Sequence, residues 1–193
     1  TTSDWVGTAS TQGVNTGKWY AEFKLSTLTT SSMIGIATDA YMSDRGVTDY
    51  VGFTSGLSNY AYAKYFTAGS DANEGKIRDQ SQTYNSYGSN TGGSTGDIIG
   101  VALDMDNGAI YFSKNGTWQN SATASEIAAG TTTNAAYTGL SGTIVPRVGH
   151  YNNNNPTIVN FGQDPSFAGS ITAGTATPSE GAGIFKYAPP TGF

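Results

Sequence analysis

Residues 96–116 read Gly-Asp-Ile-Ile-Gly-Val-Ala-Leu-Asp-Met-Asp-Asn-Gly-Ala-Ile-Tyr-Phe-Ser-Lys-Asn-Gly, two apolar runs around an Asn-Gly pair. A type I′ turn at Asn107-Gly108 needs φ > 0 at both central positions, which these residue types tolerate. On that turn Asp106 pairs with Ala109, Met105 with Ile110, Leu103 with Phe112 and Val101 with the stem of Lys114. The apolar residues then meet on one face, while Asp104 meets Tyr111 and Ala102 meets Ser113 on the other. A second pair, Asn115-Gly116, predicts another tight turn before Trp118.

Working outward, Lys18 to Leu25 alternates: Trp19, Ala21, Phe23 and Leu25 share one face, and Lys18, Tyr20, Glu22 and Lys24 the other, as in a half-buried strand. Met33–Thr38, a strand near Lys76–Gln80, another near Thr83–Gly88, Ile144–Gly149 and Thr157–Phe161 complete the strand expectations. Ser125–Ala129 predicts one helical turn. The first sixteen residues read as an edge segment, and residues 39–50 as a loop.

Charged residues make up 12% of the 193, and Gly, Ser, Thr and Asn fill the surface, which suits short strands joined by turns. A net charge of −5 argues against a surface that tracks nucleic-acid phosphates. No apolar run is long enough for a membrane-spanning helix, so no membrane insertion is expected. Zero cysteines exclude a disulfide scaffold and a thiolate zinc site. The chain begins at Thr1 rather than Met, which points to a processed protein or a fragment.

Catalytic motifs are missing. With one histidine, a Ser-His-Asp triad has to run through His150, and no Gly-x-Ser-x-Gly elbow supplies its nucleophile. Asp104 to Gly108 superficially resembles a calcium loop, but that loop needs glycine at 109 and glutamate at 115, where this chain has Ala109 and Asn115. Two converging carboxylates are not singled out among the acidic residues. The expectation is no catalytic residues, no metal and no cofactor.

Gly96-Asp97-Ile98-Ile99-Gly100 through Asp104, followed by Phe112-Ser113-Lys114-Asn115-Gly116, resembles the signature of SPRY (B30.2-like) domains. Gly17 to Phe23 is similar to the family's opening strand, Met33 to Ala37 to its second, and Val159 to Gln163 to its closing strand. The resemblance implies an all-β fold, a two-layer antiparallel β-sandwich with little helix, over residues 1–168, followed by an extended segment, 169–193. Trp19, Phe23, Ile34, Ile36, Ile99, Val101, Leu103, Ile110, Phe112 and Val159 are expected in the inter-sheet core.

The same resemblance implies a binding module whose loops clasp a protein at one edge of the sandwich. Carried onto this chain, the loop tyrosine falls at Tyr50 with Asp49. The aromatic pair falls at Tyr60 and Tyr62, in Asn59-Tyr60-Ala61-Tyr62, where the family has Ser-Trp-Gly-Tyr. The last loop falls at His150, Tyr151 and Asn152, with Asn152–Asn155 inserted. Tyr50, Tyr60, Tyr62 and Tyr151 are expected together at one end of the domain. Phe185-Lys186-Tyr187-Ala188-Pro189-Pro190-Thr191-Gly192-Phe193 resembles the segment that follows SPRY domains in tailed-bacteriophage virion proteins. It is expected to pack on its own domain or on an adjoining chain. These resemblances imply a virion structural protein in an oligomeric assembly, localised to the extracellular particle. Its partners would be other virion proteins, or a host surface protein or glycan. A carbohydrate-binding or polysaccharide-depolymerising jelly roll is the alternative, since Tyr, Trp and Asn in loops suit sugars equally well.

Overall fold

The structure is a computed structural model that describes residues 5–39, 61–69, 71–79, 83–152 and 155–193. It consists of two compact units, each built on one antiparallel sheet.

The first unit holds β1 (Trp5–Ala9), β3 (Ser31–Thr38), β4 (Ala61–Thr67), β5 (Ile77–Arg78), β6 (Tyr84–Asn85) and β10 (Ile144–Tyr151). They form one sheet in the order β1-β10-β3-β4-β5-β6. The expected edge segment is thus a true edge strand, pairing Trp5 with Tyr151 and Ala9 with Arg147. Gly35 sits at its centre because a Cβ there would lie 1.8 Å from the Tyr62 carbonyl oxygen, so only glycine lets β3 and β4 approach this closely. Met33, Ala37, Ala63, Tyr65 and Val145 bury one face of this sheet.

The second unit holds β2 (Lys18–Leu25), β7 (Ile98–Asp104), β8 (Ala109–Lys114), β9 (Thr117–Trp118) and β11 (Thr157–Asn160), in the order β11-β2-β7-β8-β9. A short helix, α1 (Ala124–Ala128), follows β9. Its capping box runs from the Glu126 N–H to Thr123 Oγ1 at 3.2 Å and from the Thr123 N–H back to Glu126 Oε2 at 2.9 Å. At its other end Lys18 Nζ donates to the Ala128 carbonyl at 2.6 Å.

The β7–β8 hairpin keeps its predicted faces but not its predicted partners. Leu103 pairs with Ile110, Val101 with Phe112 and Asp104 with Ala109, two residues away from the register of a two-residue turn. The cause is Asp104. Its Oδ1 accepts the N–H groups of Asp106 at 3.1 Å and Asn107 at 3.0 Å, and its Oδ2 accepts from Asn107 Nδ2 at 2.8 Å. That local capture stretches the turn to four residues, with positive φ at Gly108 (62°) and not at Asn107. A shift of two preserves side-chain parity, so the apolar face is unchanged. The second pair does form the tight primed turn, with φ of 49° at Asn115 and 80° at Gly116, closing Lys114 onto Thr117.

Strand β2 is buried on both faces rather than half-buried: Tyr20, Glu22 and Lys24 are as enclosed as Phe23 and Leu25. The second face is covered by α1 and by the C-terminal segment, whose Phe185 and Phe193 join Tyr20, Ala102, Tyr111 and Ile127 in a buried cluster. Trp19 departs from its expected core position and is 50% exposed, its indole N–H held by the Thr16 carbonyl at 2.7 Å. Phe23, Ile34, Ile36, Ile99, Val101, Leu103, Ile110 and Phe112 are buried as expected, while Val159 is partly exposed. Among the described residues no helix is long and apolar enough to cross a membrane.

Candidate binding edge

Of the expected site residues, Tyr62, His150, Tyr151 and Asn152 are described; Asp49, Tyr50 and Tyr60 lie outside the described residues. Tyr62 and Tyr151 do not come together. Tyr62 pairs with Ile36, and Ile36 with Pro146, which places Tyr62 five residues up the sheet from Tyr151, roughly 17 Å at strand rise. Parity also puts them on opposite faces, Tyr151 with Val145 and Tyr62 with His150. Family spacing put His150 and Tyr151 in the loop after a strand ending at Gly149, whereas both belong to β10 because their backbones still pair with Ser32 and with β1, and it carried no information on register between strands.

Tyr151 instead joins an aromatic chain across the sheet. Its ring lies 5.8 Å from that of Trp5, Trp5 lies 6.4 Å from Tyr65, and Tyr65 lies 5.3 Å from Tyr84. The Arg78 guanidinium stacks 4.9 Å from the Tyr84 ring. Trp5, Tyr84 and Tyr151 are partly exposed, whereas Tyr65 is buried and its hydroxyl meets Ser31 Oγ at 2.9 Å and Asp71 Oδ2 at 3.1 Å. Burial pushes the Tyr65 phenol above its ordinary pKa, so it stays a neutral hydrogen-bonding group. Trp5 and Tyr84 were not anticipated. The alternation Trp5-Val6-Gly7-Thr8-Ala9 was the available signal for the first.

The loops beside Tyr151 are tied down by Asn155, which is buried. Its Oδ1 accepts from the N–H groups of Thr29 at 2.6 Å and Thr30 at 3.1 Å, and its Nδ2 donates to the Ser31 carbonyl at 3.1 Å. Thr30 Oγ1 donates to the Tyr151 carbonyl at 2.7 Å. Asn152 adopts φ 65°, and its buried amide oxygen has no hydrogen-bond donor among the described residues. This end of β10 is therefore a rigid frame that presents aromatic rings, the arrangement that lets aromatics bind without a large ordering cost.

His150 Nδ1 lies 3.1 Å from Ser32 Oγ, and burial lowers the imidazole pKa, keeping it neutral near pH 7. The contact resembles half of a hydrolytic pair. Ser32, however, is completely buried, so its hydroxyl cannot meet a substrate carbonyl.

A family profile described as the SPRY domain matches residues 18–164. Among solved structures, the SPRY domain of human HERC1 is similar with a TM-score of 0.53 and 17% identity, over 81% of this chain and 80% of that chain. At that identity the likeness speaks to the fold, two antiparallel sheets of the SPRY sandwich type. A comparison with curated proteins finds no match. Since the profile spans well over half of the sequence, the chain belongs to the SPRY domain family, whose members are typically protein-binding modules.

Proposed function

We propose that this SPRY domain is a non-enzymatic binding and assembly module of a tailed-phage virion. It is carried on the extracellular particle and takes a virion protein, or a host protein or glycan, on its aromatic edge. The observation that carries the binding role is the chain of rings from Tyr151 through Trp5 and the buried Tyr65 to Tyr84, in which Tyr151, Trp5 and Tyr84 are partly exposed. Fixed aromatic rings offer large contact area with little entropy lost on binding. The resemblance of residues 185–193 to the segment following such domains in phage virion proteins supports the particle setting. The burial of Ser32 beneath His150 supports the non-enzymatic reading.

The test is adsorption. Purified full chain should compete with its phage for attachment to host cells or for assembly onto particles, and a Trp5→Ala/Tyr151→Ala chain should not. Equal competition by both proteins would refute the aromatic edge. Failure of antiserum against the chain to label purified particles would refute the virion setting.

A further inference from the structure

The family match ends at residue 164, yet residues beyond it share with α1 the covering of one face of β2, β7 and β8. They are held by a pair of buried polar side chains. Glu22 Oε2 accepts the Lys186 N–H at 2.8 Å, and Oε1 accepts the Tyr187 N–H at 2.7 Å. Asn160 Nδ2 donates to the Ile184 carbonyl at 2.9 Å and to Glu22 Oε2 at 3.3 Å. Both Glu22 and Asn160 are 0% exposed. Together they read three backbone groups of a segment that bends at Lys186 and Tyr187, which turns two consecutive N–H groups toward one carboxylate, a mode of contact that does not depend on its side chains.

The side chains are read separately. Phe185 is 4% exposed and meets the Tyr20 ring edge-on at 4.9 Å, in a slot shared with Ala102, Tyr111 and Ile127. The Tyr187 ring lies on the β8–β9 turn, where a Cβ at Gly116 would come within 2.6 Å of it. Lys186, between them, is partly exposed, with Nζ on the Thr172 carbonyl at 3.1 Å. A buried carboxylate stripped of two N–H donors would be left underpaired, which is costly, so the slot demands an occupant.

We infer that Glu22 and Asn160 head a peptide-docking site for a short bent segment of aromatic-x-aromatic pattern. The chain's own residues 184–187 fill it in cis, and the same segment of a second copy fits it when the resident one is displaced. The site lies in the second unit, whereas Trp5, Tyr65, Tyr84 and Tyr151 belong to the first.

The experiment uses the full chain carrying Phe185→Ala, which weakens the resident ligand, and a fluorescent peptide of residues 182–193. The peptide should bind this variant at least about tenfold more tightly than it binds wild type. Adding Glu22→Gln, or replacing the phenylalanine of the peptide by alanine, should each remove about tenfold or more of that affinity. If Phe185→Ala does not fold, Lys186→Pro, which deletes one donated N–H, takes its place with the same readout. A folded variant that shows no binding up to about 1 mM peptide, or that binds the alanine peptide equally well, overturns the proposal.

Discussion

The Glu22 carboxylate accepts the backbone N–H of Tyr187 at 2.7 Å, joining the middle of β2 to a residue 165 positions later in the chain. Its pKa is raised, first by burial, against the opposing pull of its hydrogen bonds from Lys186, Tyr187 and Asn160. A carboxyl whose folded pKa lies above its unfolded value contributes stability that is fully present below the unfolded pKa and is lost as pH rises through the folded one. Wild type should therefore lose stability relative to Glu22→Gln as pH climbs from the ordinary glutamate range, about 4, through the raised pKa of the folded carboxyl. His150, with its lowered pKa, acts in the opposite sense in both proteins and cancels in the difference. Melting curves of the two chains across that range check this; parallel curves would contradict it.

Leu103 and Phe112 are both buried in the β7–β8 hairpin, at 4% and 0% exposure. Truncating either to alanine should cost about 2–5 kcal/mol, through lost transfer energy and the cavity left behind. The register makes a finer statement. A double-mutant cycle should couple Leu103 to Ile110 and Val101 to Phe112 more strongly than Leu103 to Phe112.

Two glycines separate backbone approach from backbone strain. At Gly35 an added Cβ would meet the Tyr62 carbonyl oxygen at 1.8 Å and the Ala63 Cα at 2.6 Å, so Gly35→Ala should prevent β3 from pairing with β4 and leave little folded protein. At Gly96 nothing lies within 4 Å and φ is +92°, so Gly96→Ala should cost only the strain of the positive φ, about 1–2 kcal/mol. Denaturant unfolding of the pair checks the contrast.

Much of the fold is legible in the residues themselves. Lys18–Leu25 has the bounds its alternation predicts, and the two Asn-Gly turns fall where the composition puts them. Partnership was less legible. The Asp104 carboxylate, by capturing Asp106 and Asn107, selects a four-residue turn over the two-residue one that Asn-Gly alone favours. Period-2 alternation shows that β2 has two faces but not what covers the second, because Phe185 and Phe193 arrive from more than 160 positions away. For the same reason Trp19, the larger ring at the strand's start, is exposed while Tyr20 is buried. At the candidate edge, residue type marked Tyr151, but Trp5 becomes its neighbour only through the β1–β10 pairing, a long-range fact with no local signature.

The central claim, that recognition runs through the aromatic edge, is tested most directly by binding of wild type and of Trp5→Ala/Tyr151→Ala to arrays of glycans and peptides. Rings of this kind contribute about 1–2 kcal/mol each, so the double variant should lose about thirtyfold to several hundredfold in affinity for whatever wild type binds, with an unchanged circular dichroism spectrum. A folded double variant that keeps wild-type affinity for the same ligand would contradict the account.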